Sequence, residues 1–170
     1  MSDENLESER LILKPLSFEE LSYINNNEFD NIEIIIELEG IFDSVKLAIS
    51  KKLIKMKNID KNLHKWYTYW MIINKENEKG IGFIGFKGIP DENSYSEVGY
   101  SISASYRKQR FMTEALERLV KWAYGFQYCR GITAQVLKTN VGSNKVLTNC
   151  KFKIESSTEQ YDSFILKFRH

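Results

Sequence analysis

The chain has 170 residues, of which 42% are hydrophobic and 28% charged, enough for one domain with a full core. Its 24 Lys and Arg balance 23 Asp and Glu, and a formal net charge of +1 gives no general attraction to nucleic acid or anionic lipid, so neither partner is expected. No apolar run is long enough to span a membrane and the acidic opening MSDENLESER has no signal-peptide core, so a cytoplasmic protein is expected.

Residues 1 to 7 are polar and expected to fray. RLILKPL reads as a short strand stopped by Pro15. Ser17, with Glu20 three residues later, forms a capping-box pattern that opens a helix over SFEELSYINN. The stretch NIEIIIELEG admits either a strand or part of a helix, because short apolar runs are ambiguous. From Asp43 to Lys57, Val45, Ala48, Ile49, Leu53 and Met56 share one helical face, and Lys51 and Lys52 read as a solvated face.

WYTYWMIIN, IGFIGFKGI and YSEVGYSIS then predict a three-strand meander separated by the turns KENEKG and PDENS. Gly82, Gly85 and Gly88 suit close backbone approach. The aromatic residues Trp66, Tyr67, Tyr69 and Trp70 are expected to serve the sheet. A long helix follows, with Met112, Ala115, Leu116, Leu119, Val120 and Ala123 on one stripe. Its other face offers Glu114 with Arg118 and Glu117 with Lys121, each four residues apart. Gly131 precedes the strand ITAQVL, Asn140 to Asn149 is a short helix, and CKFKIESS and DSFILKFRH are the closing strands, joined by TEQY.

This order gives a mixed α/β domain over residues 1 to 170. The helix between strands 95–103 and 132–137 is a strand–helix–strand crossover, which makes those strands parallel neighbours. The turn RKQR between strand and helix puts free N–H groups and the positive end of a helix dipole together, an anion site suited to a pyrophosphate. Cys129 and Cys150 have no metal-ligand spacing, so buried free thiols and no metal are expected. A nucleophilic Cys150 has no histidine partner placed by the sequence.

RLILKPL, IGFIGFKGIP with SEVGYSIS, YRKQRFMTEALERLVKWAY and NVGSNKVLTNCKF together resemble, in order, the GCN5-related N-acetyltransferase superfamily, and most closely its ribosomal-protein alanine N-acetyltransferase branch. The resemblance covers roughly residues 8 to 169. It implies a twisted mixed sheet splayed between its fourth and fifth strands, YSEVGYSIS and ITAQVL, with acetyl-coenzyme A in the splay as cosubstrate. It implies an amine acceptor, which is a protein N-terminus or a small amine, and a monomer or homodimer. The pantetheine would pair with the backbone of Ser101, Ile102 and Ser103, and main-chain groups of Lys108, Gln109, Arg110, Phe111 and Met112 would hold the pyrophosphate. Arg107 matches the first position of the coenzyme loop. Lys108, Arg110 and Lys151 stand where the family usually has glycine. A rival reading is therefore a domain of this fold that binds a ligand or partner without turnover.

Transfer to an amine requires removal of its proton, stabilisation of the oxyanion and protonation of the leaving thiolate. Glu97 is the expected base, on one strand face with Gly99 and Ser101; the bland reading is a structural carboxylate. A backbone N–H near Ile102 is the expected oxyanion donor. Asn140 would bind pantetheine and Ser143 would protonate the sulfur, against a plain helix-capping role for both. Tyr100 and Tyr106 read as packing residues rather than acids, and acceptor choice is assigned to residues 20–60 and 154–163.

Overall fold

The computed structural model describes residues 4–37, 39 and 43–169. Its strands are β1 (Leu6–Glu7), β2 (Leu11–Pro15), β3 (Trp70–Asn74), β4 (Lys79–Phe86), β5 (Tyr95–Ile102), β6 (Gly131–Leu137), β7 (Lys153–Ser157) and β8 (Tyr161–Lys167). They form one sheet in the order β1-β2-β3-β4-β5-β6-β8-β7. Every neighbouring pair is antiparallel except β5 and β6, the parallel pair the crossover demands. The α-helices among the described residues are α1 (Phe18–Asn25), α2 (Asp43–Met56), α3 (Phe111–Tyr124) and α4 (Val141–Asn149). This is the mixed α/β architecture expected from the sequence.

The helices divide between the two faces of the sheet. One core joins α3 to β4 and β5 through Ile84, Phe86, Val98, Leu116 and Leu119. The other joins α1 and α2 to Tyr69, Met71, Ile73 and Phe83. Alternation along a strand makes this division binding on side-chain direction. Phe83 lies opposite Ser101, so Ser101, Gly99 and Glu97 point to the α1/α2 face. Val98, Tyr100 and Ile102 point to the α3 face.

Local chemistry explains several element ends. Ser17 Oγ accepts from the Glu20 N–H and Glu20 Oε1 accepts from the Ser17 N–H, so both bonds of the capping box form. Asn140 caps α4, accepting from the Ser143 N–H at 3.0 Å. At Gly85 an added Cβ would stand 2.4 Å from the Thr68 carbonyl oxygen, so the close backbone approach expected there is present.

Several expectations are corrected. Leu6 and Glu7 are not frayed; they pair with β2. The strand expected from Trp66 begins at Trp70, because Lys61–Trp66 winds into a 3-10 turn that buries Trp66. The described residues of NIEIIIELEG make neither a strand nor an α-helix: Phe29–Asn31 is a 3-10 turn and Ile36 makes a single bridge to Gly80, while residues 38 and 40 lie outside the described residues. Lys52 is not solvated. It is 7% exposed, its Nζ donates to the carbonyls of Phe86 (2.9 Å) and Tyr67 (3.1 Å), and it lies 4.4 Å from the Tyr69 ring centre. Burial pushes its amine down to about 7, with Lys55 and Lys87 adding repulsion.

On α3, Glu114 turns away from Arg118 toward the N-terminal strands. It accepts from Ser8 Oγ, the Arg10 N–H and Arg10 Nε, the last at 2.7 Å, while Arg118 donates to the Glu7 carbonyl. Burial raises the Glu114 carboxyl, but these bonds outweigh it and hold it below the ordinary carboxylate value. The Arg10 guanidinium also lies 4.1 Å from the Phe111 ring centre, tying the first turn of α3 to the sheet.

Candidate active site

The parallel pairing of β5 and β6 runs from Tyr95–Gly131 to Glu97–Thr133 and stops, whereas β5 stays paired with β4 as far as Ile102. The two strands therefore part in a wedge with Glu97 at its vertex. From Glu97 to Ile102 the open part of β5 spans roughly 17 Å at about 3.3 Å per residue. That length suits an extended pantetheine arm.

Which backbone groups face the wedge follows from the ladder. The Lys87 N–H donates to the Glu97 carbonyl at 2.9 Å and the Ser103 N–H to the Ile81 carbonyl at 2.8 Å. Glu97, Gly99, Ser101 and Ser103 thus turn their main-chain groups to β4, and the residues between them turn theirs the other way. Ile102 faces the wedge as expected, and Tyr100 joins it. The backbones of Ser101 and Ser103 are committed to β4, contrary to the pairing expected of them, which leaves Tyr100 and Ile102 with main-chain groups facing the wedge. Ser103 is buried, and its hydroxyl, with that of Ser105, bonds the carboxylate of Glu39.

The wedge opens toward the N-terminus of α3. The first α-helical bond runs from the Glu114 N–H to the Arg110 carbonyl, and Arg110, the N-cap, supplies no side-chain cap. The N–H groups of Phe111, Met112 and Thr113 precede that bond at the positive end of the helix dipole. Phe111 and Met112 are buried and fix the turn; Arg107, Lys108, Gln109 and Arg110 are exposed around it. Lys108 (φ 63°) and Arg110 (φ 64°) are both left-handed, as is Lys151 (φ 70°) before Phe152. These are the positions where the resembled pattern has glycine. The backbone shape survives there at a cost of about 1–2 kcal/mol per residue.

The two catalytic candidates sit on opposite faces of the wedge. Glu97 points to the α2 face, where its Oε2 lies 2.6 Å from Lys87 Nζ. A Cβ added to its neighbour Gly99 would meet nothing within 4 Å, so there is open space on that face beside the carboxylate. A depression of about 490 Å³ lined by Ile54, Asn58, Tyr67 and Lys87 shares Lys87 with this ion pair. On the α3 face, Ser143 Oγ donates to Tyr100 Oη at 2.8 Å. Burial pushes the Tyr100 phenol up to about 12, against the lowering effect of the Ser143 bond. Tyr100 thus joins the candidate Ser143 across the wedge, which alternation from Glu97 did not reveal; its partner lies on α4, far along the chain. Asn140 Oδ1 is occupied in capping α4, which leaves its amide Nδ2 for a ligand. Cys150 is buried, with its thiol on the Thr113 carbonyl and pushed up to about 12 by burial, unlike a nucleophile.

Among the described residues no cluster of His, Cys, Asp and Glu has the arrangement to hold a metal ion, and no helix is long and apolar enough to cross a membrane. Residues 10–153 match the family model described as an acetyltransferase (GNAT) domain. The chain is 30% identical over 149 residues to the uncharacterized N-acetyltransferase YjdG of Bacillus subtilis (strain 168), covering 88% of this chain and 81% of that protein. In structure it resembles RimL, a ribosomal L7/L12 alpha-N-protein acetyltransferase in complex with coenzyme A, at a TM-score of 0.69 and 14% identity over 96% of this chain and 98% of that one. It also resembles the ribosomal-protein-S5-alanine acetyltransferase from Vibrio fischeri, at a TM-score of 0.68 and 19% identity over 97% of each chain.

Proposed function

This chain belongs to the acetyltransferase (GNAT) family and uses acetyl-coenzyme A as cosubstrate, and we propose that it transfers the acetyl group directly to a primary amine inside the β5–β6 wedge. The observation that carries this reading is the division of chemistry across β5, with Glu97 on one face and the Tyr100–Ser143 pair on the other. When bound, the coenzyme supplies an activated thioester. The chain's own groups do the rest. Main-chain N–H groups of Phe111 to Thr113, with Lys108 and Arg110 near them, hold the pyrophosphate. The backbones of Tyr100 and Ile102 pair with pantetheine, helped by Asn140 Nδ2. Glu97 takes the proton from an amine that enters on the α2 face beside Gly99. The Tyr100 N–H, closer to the vertex than that of Ile102, donates to the oxyanion. Ser143 Oγ, its hydroxyl turned from Tyr100 Oη to the departing sulfur, gives up its proton, and the Tyr100 hydroxyl, turned from the Ser143 carbonyl, resupplies it.

The acceptor is a protein N-terminus or a small amine, bound against α2 in the open space next to Gly99. The rival reading, a binding domain without turnover, drew on the cationic residues at the usual glycine positions. The left-handed backbone at Lys108, Arg110 and Lys151 removes the conformational part of that argument. The test has two readings on one preparation. Acetyl-coenzyme A is expected to raise the melting temperature. Thiol release is then expected with at least one class among peptides bearing Ala or Ser N-termini, polyamines and amino sugars, and is expected to fall on Glu97→Gln. Binding without thiol release from any amine favours the rival.

A further inference from the structure

Lys87 holds its ε-amine where an acceptor amine would have to stand. Its Nζ is 2.6 Å from Glu97 Oε2, the carboxylate at the vertex of the wedge, on the α2 face from which the acceptor enters. Lys87 lies directly across the β4–β5 ladder from Glu97, its N–H on the Glu97 carbonyl, so the backbone fixes this juxtaposition. The neighbouring lysines are engaged elsewhere: Lys55 Nζ donates to the Lys87 carbonyl and Lys52 Nζ to those of Tyr67 and Phe86. Lys87 is 58% exposed in its side chain, so its four-carbon stem has freedom to swing from Glu97 toward the wedge.

We propose that Lys87 is an internal acceptor and that the protein acetylates it. This rests on the reading of Glu97 as base and the wedge as coenzyme site. Glu97 takes a proton from the Lys87 ammonium, and the nitrogen lone pair attacks the thioester carbonyl carbon. The C–S bond breaks as the N–C bond is completed. Glu97 passes the first proton to water and then takes the second from the acylated nitrogen, while the thiolate receives a proton that comes from water by way of Tyr100 Oη and Ser143 Oγ. The products are Nε-acetyl-Lys87, coenzyme A and one proton. Tethering the amine beside the base makes the step unimolecular in the bound complex. The modification removes the Lys87 charge, dissolves the ion pair and leaves Glu97 open to an external amine.

The experiment incubates the full chain with isotopically labelled acetyl-coenzyme A and maps acetyl occupancy at every lysine against time by peptide mass spectrometry. Lys87 is expected to be labelled roughly tenfold or more faster than the median lysine, at a rate per molecule that does not change on dilution. Glu97→Gln is expected to bring Lys87 down to the chemical background while the melting shift with acetyl-coenzyme A persists. Lys87 at background in a protein whose melting temperature rises with acetyl-coenzyme A overturns internal acetylation and leaves the proposed function standing. A rate per molecule that falls in proportion to dilution overturns it as well. No melting shift together with no labelling overturns both readings.

Discussion

The Tyr100–Ser143 contact offers a test of the proton path that separates relay from scaffold. Ser143→Ala and Tyr100→Phe each delete one hydroxyl of a 2.8 Å hydrogen bond and leave the fold's packing in place. The helix cap is untouched, because Asn140 rather than the Ser143 hydroxyl provides it. The stability loss should therefore be about 0.5–1.5 kcal/mol for Ser143→Ala, the value of one hydrogen bond, and somewhat larger for Tyr100→Phe, whose hydroxyl also donates to the Ser143 carbonyl at 3.4 Å. If the pair delivers the thiolate proton, kcat should fall by roughly 10²-fold or more for Ser143→Ala, within the range of a lost general acid. Tyr100→Phe should cost less, because solvent can refill Ser143. The double variant should be no worse than Ser143→Ala alone, since both hydroxyls serve one path. Burial holds the Tyr100 phenol at about 12, so it stays protonated through the assay range and adds no alkaline limb below that value. The assay is thiol release at saturating coenzyme from pH 6 to 10, paired with melting curves. Full kcat in Ser143→Ala, or losses that multiply in the double variant, would refute the relay.

Gly99→Val fills the open space beside Glu97 and should raise KM for the amine by roughly tenfold, with coenzyme binding and melting temperature little changed; unchanged KM places the acceptor elsewhere. Arg110→Gly relieves a left-handed residue, so stability should rise by up to about 1 kcal/mol, while coenzyme affinity falls at low salt and the deficit shrinks at high salt. Tighter binding by calorimetry would show that Arg110 obstructs the loop. Lys52→Met should stabilise the protein by about 2 kcal/mol at neutral pH, burial of the charge outweighing two lost carbonyl bonds. Because the folded amine titrates near 7 against 10.5 unperturbed, the wild type should gain stability as pH rises from 7 to 10.5 and the variant should lack that gain. Glu114→Gln should cost about 1–2 kcal/mol at pH 7, a difference that closes in urea titrations as pH falls below the ordinary carboxylate range, because the wild-type carboxyl is held below it.

What could be read from the chain was what local rules determine. Ser17 and Glu20 formed their capping box because both partners lie within one turn. The parallel β5–β6 pair followed from a helix between two strands, and the wedge from the resemblance. Features made by distant partners were out of reach. Glu114 looked like one half of a pair with Arg118, but Ser8 and Arg10 claim it from across the sheet. Tyr100 looked like packing until α4 brought Ser143 to it. Lys52 did carry a signal. With Val45, Ile49 and Met56 it completes one buried helical stripe, and its charge masked that position. The facing of the Tyr100 and Ile102 backbones depends on which β4–β5 pairs exchange hydrogen bonds, a parity that alternation of side chains leaves open.

The usual glycines of the coenzyme loop and closing motif are best understood as a backbone requirement rather than a residue requirement. At Lys108, Arg110 and Lys151 the chain takes the left-handed shape that glycine permits, and no glycine in the described residues has positive φ. Three such residues together cost about 3–6 kcal/mol, a sizeable part of a typical total of about 5–15 kcal/mol. The fold must hold them in place from outside. Arg10 on the Phe111 ring and on Glu114, the burial of Phe111 and Met112, and the Gln109 side-chain bond to the Ser105 carbonyl do so for the loop. A glycine loop would leave the N–H cradle bare. Here the same cradle is edged by exposed Lys108 and Arg110, and under the proposed function their charges would oppose the strain by attracting the coenzyme phosphates. Strain in the free protein and electrostatic gain in the bound one then act on the same few residues, which is why coenzyme should order this loop more than it would a glycine one.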